Sequence, residues 1–140
     1  MYEDRKIGRD IHIVSNKIRR KMDNETQRFD LTPAQFHFLM FIIESDGEVF
    51  QRDIEIAFNL RRSTVSKILA LLESRGIVTR ENVKSDGRLK KITITKYGYE
   101  QVNAVKETFD EFDRYLKGSI DSKDLEVFYK VLDKLRQLTD

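Results

Sequence analysis

Asn59 separates two short helical patterns, and the spacing around it restricts this chain more than any other feature. Upstream, Gln51 to Phe58 reads as a helix that turns Ile54, Ala57 and Phe58 inward. Asn tolerates the left-handed backbone of a tight turn better than most residues with a side chain. Downstream, Val65, Ile68, Leu69 and Leu72 recur at helical spacing, which predicts a helix from Arg62 to Arg75 that Gly76 stops. Two helices joined by so short a turn form a helix-turn-helix pattern.

The outer face of the second helix says what such a pair is for. Ser63, Ser66, Lys67, Ala70 and Ser74 point away from the apolar stripe, and four of these five are small. An ordinary solvent-facing helix carries Glu and Lys pairs. A helix that lies in the DNA major groove, ~12 Å wide, needs a slim face with hydrogen-bonding groups at its leading end. After Gly76, Ile77 to Thr79 reads as a strand. A second runs from Leu89 to Thr95, where Ile92 and Ile94 alternate with Lys91, Thr93 and Thr95. Arg80 to Arg88 between them reads as a polar loop too long for the tightest hairpin, with Ser85, Asp86 and Gly87 as turn residues. A basic hairpin beside a recognition helix is a wing. Arg88 is placed to enter the minor groove, Lys84 and Lys90 to meet phosphates, and Asp86 to pair with Arg88 and stiffen the loop.

Charge supports the same reading. The net charge of the 140 residues is only +2, yet Asn59 to Lys96 holds ten Lys and Arg against three Asp and Glu, and the remainder is −5. A cationic stretch on an acidic body suits a polyanionic partner. The absence of cysteine excludes disulfides, thiolate metal sites and thiol chemistry. With no apolar run of the ~18 residues that a membrane span requires, and no signal-peptide core, the expected location is the cytoplasm. Phosphate-binding glycine loops, paired-carboxylate signatures and zinc-protease motifs are missing, so the sequence does not read as an enzyme and calls for no cofactor.

The rest of the chain is helical. Ile7, Ile11, Val14, Ile18 and Met22 form an amphipathic stripe between Asp4 and Glu25. Thr32, Pro33 and Gln35 spell a capped helix start, followed by a helix to Ser45 that is apolar on nearly every side and therefore deep. Thr95 begins a long helix with Val102, Val105, Phe109, Phe112 and Leu116 on one stripe, which Gly118 ends. Asp121 or Ser122 caps a last helix bearing Leu125, Phe128, Tyr129, Leu132, Leu135 and Leu138. These terminal helices hold more apolar stripe than one small winged domain can cover, which implies a homodimer built from both ends of the chain. The expected fold is mainly α with a small β wing: six helices, a winged helix-turn-helix over residues 31–98, and dimerisation through residues 1–30 and 99–140, all within one domain of residues 1–140.

In order and length the chain resembles the MarR (multiple antibiotic resistance regulator) family of winged-helix regulators. The resemblance is carried by Leu31 to Phe36, by Arg62 to Ser66, by Leu72 to Val78, by Asp86, Gly87 and Arg88, and by Ile94, Thr95 and Gly98. It implies a homodimeric, sequence-specific repressor on a pseudopalindromic operator in double-stranded DNA, released by a small aromatic or anionic effector. Carried over by position, Ser63, Thr64, Ser66 and Lys67 face bases and phosphates, while Arg88 is the minor-groove residue and Asp86 orients it; the basic Arg61 and Arg62 at the start of the same helix are further expected DNA contacts. Family members often have Asp or Ser where Arg61 stands, so the usual side-chain cap of the recognition helix is expected to be missing or replaced. Phe50 likewise replaces a small capping residue, and Asn59 stands where Gly is common.

Two other readings remain open at this level. His12 and His37 could meet a carboxylate such as Glu44 or Asp110 in a metal-responsive regulator of the same fold, although two histidines without cysteine argue weakly for a metal. A winged helix can also bind protein instead of DNA. For an effector, the expected cavity lies where the first, second and fifth helices meet, lined by His12, Asn16, Phe36, Phe38, Met40 and Tyr97; plain core packing is the competing expectation for the same residues.

Overall fold

The computed structural model describes residues 1–83 and 86–140, with the side chains at 86–88 also outside the description. Its elements in chain order are α1 (Ile7–Thr26), α2 (Pro33–Glu44), β1 (Val49–Phe50), α3 (Gln51–Phe58), α4 (Arg62–Ser74), β2 (Val78–Val83), β3 (Asp86–Ile94), α5 (Lys96–Gly118) and α6 (Ser122–Leu138). Two compact units divide it, Met1–Lys106 and Glu107–Asp140.

In the first unit, α2 starts as its sequence dictates. Thr32 Oγ1 accepts from the Gln35 N–H at 3.2 Å, and Gln35 Oε1 accepts from the Thr32 N–H at 3.0 Å, with Pro33 at the first helical position. Phe36, Phe38 and Leu39 of α2 are buried, and Phe38 packs on Phe58 of α3 with ring centroids 4.8 Å apart. Phe50 cannot cap α3 with its own side chain; Asp53 Oδ2 instead accepts the Phe50 N–H at 2.8 Å. Of the α3 residues expected inward, Ile54 is fully buried and Phe58 half-buried, whereas Ala57 is exposed on the rim of the helix. Asn59 has φ 50° and ψ 51°, the left-handed backbone that the tight turn into α4 requires. Val65, Leu69 and Leu72 of α4 are wholly buried, and Gly76 has φ 74°, beyond the reach of most side chains.

The sheet is three-stranded and antiparallel in the order β1-β3-β2. Val49 pairs with Ile92 and Val78 with Ile94, and all four are buried, so one apolar face closes over the helices. The sheet departs from the sequence reading in two ways. β1 was not expected, because two residues carry no periodicity. Most of the expected loop from Arg80 is strand: Arg80 pairs with Ile92, Glu81 with Lys91, Asn82 with Lys90 and Val83 with Asp86, the register shifting between Asn82 and Val83. A ribbon exposed on both faces has no apolar alternation, so its sequence resembles a loop.

Thr95 turns the chain into α5. Its hydroxyl donates to the Gly76 carbonyl at 2.6 Å and accepts the Gly98 N–H at 2.9 Å. Val102 and Val105 then complete the core. In α1 only Met22 and Thr26 are buried, while Ile7, Ile11, Val14 and Ile18 are exposed. In the second unit, Asp121 caps α6 by accepting the Lys123 N–H at 3.0 Å. α6 buries no residue fully and exposes Val127, Phe128, Tyr129, Val131 and Leu138.

Candidate nucleic-acid interface

The fold presents α4 edgewise, its stripe of Val65, Leu69 and Leu72 in the core and its opposite face outward. Ser63, Thr64, Lys67 and Ala70 are exposed there, as are Arg61 and Arg62 at the leading end. Arg61 occupies the N-cap position with an extended backbone (φ −71°, ψ 148°) and makes no side-chain cap bond. The first N–H groups of α4 are therefore uncapped by a side chain, beside two guanidinium groups. N–H donors, helix dipole and positive charge at one end suit a phosphate.

Two of the small residues on this face are held by protein partners. Ser74 Oγ donates to the Leu71 carbonyl of its own helix at 2.7 Å. Ser66, expected to point outward, is half-buried, and its hydroxyl accepts from Arg80 Nη1 at 3.4 Å. It lies on the flank of α4 that faces β2, about 100° round the helix from Val65.

On the wing, Lys90 Nζ donates to Asn82 Oδ1, its cross-strand partner, at 3.4 Å. Lys91 pairs with Glu48 at 3.0 Å, and the hydrogen bond with that carboxylate holds the Lys91 pKa above the usual lysine value. Lys91 is thus committed to the β1–β3 edge. Lys84 lies outside the described residues, as do the side chains of Asp86 and Arg88, so the expected Asp86–Arg88 pair lies outside them too.

The side chain that sequence reasoning missed is Arg80, read there only as the start of a loop. Its side chain is 14% exposed and touches two helices, α3 and α4. Glu73 of α4 accepts both the Arg80 backbone N–H and Nη2, at 3.2 and 3.4 Å, and Gln51 of α3 accepts from Nη1 at 3.3 Å. One signal was available: Glu73 follows Ser66 by seven residues, two helical turns, so both share a flank that the strand after Gly76 passes.

The six residues expected around an effector have different surroundings. Phe36 and Phe38 are buried, Asn16 and Met40 half-buried, and His12 and Tyr97 exposed. His12 Nε2 lies 3.2 Å from Asn16 Nδ2. Asn16 also lines a cleft of about 500 Å³ with Arg19, Arg20, Asp23 and the start of α2 at Thr32 to Ala34. His37 meets Phe36 edge-on, with centroids 5.8 Å apart, and desolvation lowers its pKa. Among the described residues no three His, Asp or Glu side chains gather as a metal site. No described helix is long and apolar enough to cross a membrane.

A helix-turn-helix with a three-stranded sheet whose longest hairpin stands beside the recognition helix defines a winged-helix protein. A profile of the MarR family matches residues 29–89. The transcriptional regulator HosA of Escherichia coli O127:H6 is 27% identical over 106 residues, covering 76% of this chain and 78% of HosA. The HTH-type transcriptional regulator YdgJ of Bacillus subtilis (strain 168) is 23% identical over 106 residues, and that match spans 76% of this chain and 64% of YdgJ. Among solved structures, a Staphylococcus aureus MepR–DNA complex superposes with a TM-score of 0.89 at 27% identity, covering 96% of this chain and 99% of MepR. A mutant MarR from E. coli complexed with operator DNA shares the fold, with a TM-score of 0.83 at 21% identity, covering 96% of this chain and 96% of that MarR. Residues 29–89 thus resemble the MarR family, and the described fold is that of the MarR-family winged-helix regulators among the solved structures.

Proposed function

We propose that this chain is a repressor that binds a pseudopalindromic operator in double-stranded DNA as a homodimer, working in the cytoplasm. The observation that carries the proposal is the leading end of α4: an uncapped helix start flanked by Arg61 and Arg62, followed by the slim exposed face of Ser63, Thr64 and Lys67. The likeness to MepR in complex with DNA supports the same partner. In this reading residues 31–98 bind DNA, α4 enters the major groove, Lys84 and Lys90 of the wing meet phosphates, and Arg88 enters the minor groove, with Asp86 orienting it. Residues 1–30 and 99–140 form the dimer. The support for that assignment is the exposed stripe of α1, where Ile7 is 66% and Val14 52% exposed, together with the apolar side chains that α6 leaves uncovered. A small aromatic or anionic effector would release the DNA; the Arg19 and Arg20 side chains at the cleft beside Asn16 favour an anion there.

Selection of bound duplexes from a random pool tests the function. The expected product is a pseudopalindrome with half-sites about 10 base pairs apart, centre to centre, because a two-fold dimer presents matching helices to one face of DNA. A single half-site would contradict the dimer. On the selected duplex, Arg88→Ala is expected to weaken binding about tenfold with an unchanged melting temperature. An unchanged dissociation constant would show that the wing is a bystander.

A further inference from the structure

The Arg80 guanidinium joins all three parts of the winged helix-turn-helix: Gln51 opens α3, Ser66 and Glu73 lie on α4, and Arg80 itself belongs to β2. Its side chain is 14% exposed, and Gln51 is 6% exposed. The contacts of its Nη atoms are long, 3.3 Å to Gln51 Oε1, 3.4 Å to Ser66 Oγ and 3.4 Å to Glu73 Oε1. A largely buried cation held by long bonds adds little net stability, since desolvation offsets the attraction, whereas it does fix the orientation of the groups around it.

Its effect on Ser66 follows from the chemistry of a hydroxyl, which has one proton to give and two lone pairs to receive. Arg80 Nη1 takes one of the two lone pairs of Ser66 Oγ. The positive charge disfavours orientations of the hydroxyl proton toward the guanidinium, and the open side of α4, where Ser63 and Lys67 are exposed, is among those left. Without Arg80 the hydroxyl would rotate freely and could serve as donor or acceptor.

We propose that Arg80 is a positioning residue that biases Ser66 toward donating its hydroxyl proton to DNA, so that Ser66 favours an acceptor: a phosphate oxygen, a purine N7, guanine O6 or thymine O4. The amino groups of cytosine and adenine are disfavoured as its partners, because the guanidinium holds one lone pair of Ser66 Oγ and its charge opposes the approach of a second donor. The inference rests on the DNA-binding reading above and adds to it a residue that need not touch DNA.

A double-mutant cycle on the selected duplex tests it, with affinity read by fluorescence anisotropy and folding by thermal melting. Ser66→Ala and Arg80→Lys are each expected to weaken binding about five-fold. The double variant is expected to bind no more weakly than either single one, because Arg80 acts through the hydroxyl. Ser66→Thr, which keeps the hydroxyl, is expected to retain most of the affinity. Arg80→Gln repeats the cycle without a buried charge should the Arg80→Lys variant fail to fold. Additive losses, or full affinity in both folded Arg80 variants, would overturn the proposal. Pool selection with Ser66→Ala separates the two kinds of acceptor: loss of preference at one position of each half-site identifies a base, and uniform weakening identifies a phosphate. Cytosine or adenine chosen through its amino group opposite Ser66 would overturn the proposal while leaving DNA binding intact. Failure of the unmodified chain to bind any duplex would overturn both.

Discussion

Gly98→Ala is expected to destabilise the winged region by about 3 kcal/mol or more, among the largest effects that one added carbon can have. Gly98 is the third residue of α5 and is buried. A Cβ placed there would lie within van der Waals overlap of two backbone and side-chain neighbours, 2.3 Å from the Ile77 carbonyl oxygen and 2.8 Å from Ile94 Cγ2. The first of these cannot swing aside, because the Ile77 carbonyl accepts both the Thr95 N–H at 3.0 Å and the Thr95 hydroxyl at 3.1 Å. Relief of the clash would separate α5 from the strand that follows α4 and open the Thr95 turn. Urea unfolding checks the prediction, with Gly8→Ala as the matched control. Gly8 lies in α1, where nothing stands within 4 Å of an added Cβ, and alanine suits a helix better than glycine. The Gly8→Ala midpoint is expected to hold or rise slightly. A Gly98→Ala midpoint equal to that of the unmodified chain would show that α5 does not approach Ile77 so closely.

Residues whose effect is local were readable from the sequence. Thr32, Pro33 and Gln35 cap α2 because the capping box needs only four consecutive residues, and Asn59 adopts the left-handed backbone for a reason intrinsic to its own side chain. The α1 stripe was readable as apolar and unpartnered, and within one chain it is exposed. Features decided by distant partners were hidden. β1 exists because Val49 meets Ile92 across the sheet, and two residues cannot announce that. The polar ribbon of Glu81 and Asn82 is strand only because Lys91 and Lys90 pair with it. At the candidate site, the exposed leading end of α4 followed from residue type and helical period, and its missing side-chain cap at Arg61 from the departure there from the family pattern. The half-burial of Ser66 did not, because it depends on an arginine that returns to α4 from the next strand.

The second large effect expected is that of salt on DNA affinity. Arg61, Arg62 and Lys67 are exposed on and before α4 in each copy, and the stretch around them carries ten basic residues against three acidic ones. Contacts from these three side chains in both copies of a dimer would neutralise about six phosphates, and each neutralised phosphate releases condensed counterions. The logarithm of affinity then falls with that of salt concentration at a slope of about −5. Wing contacts by Lys84, Lys90 and Arg88 would steepen it. The measurement is a titration of the selected duplex with the full chain at about 50 and about 200 mM salt, for which a loss of about a thousandfold is expected. Affinity that hardly changes between the two concentrations, or no binding even at the lower one, would contradict the assignment of α4 and its basic surroundings to DNA.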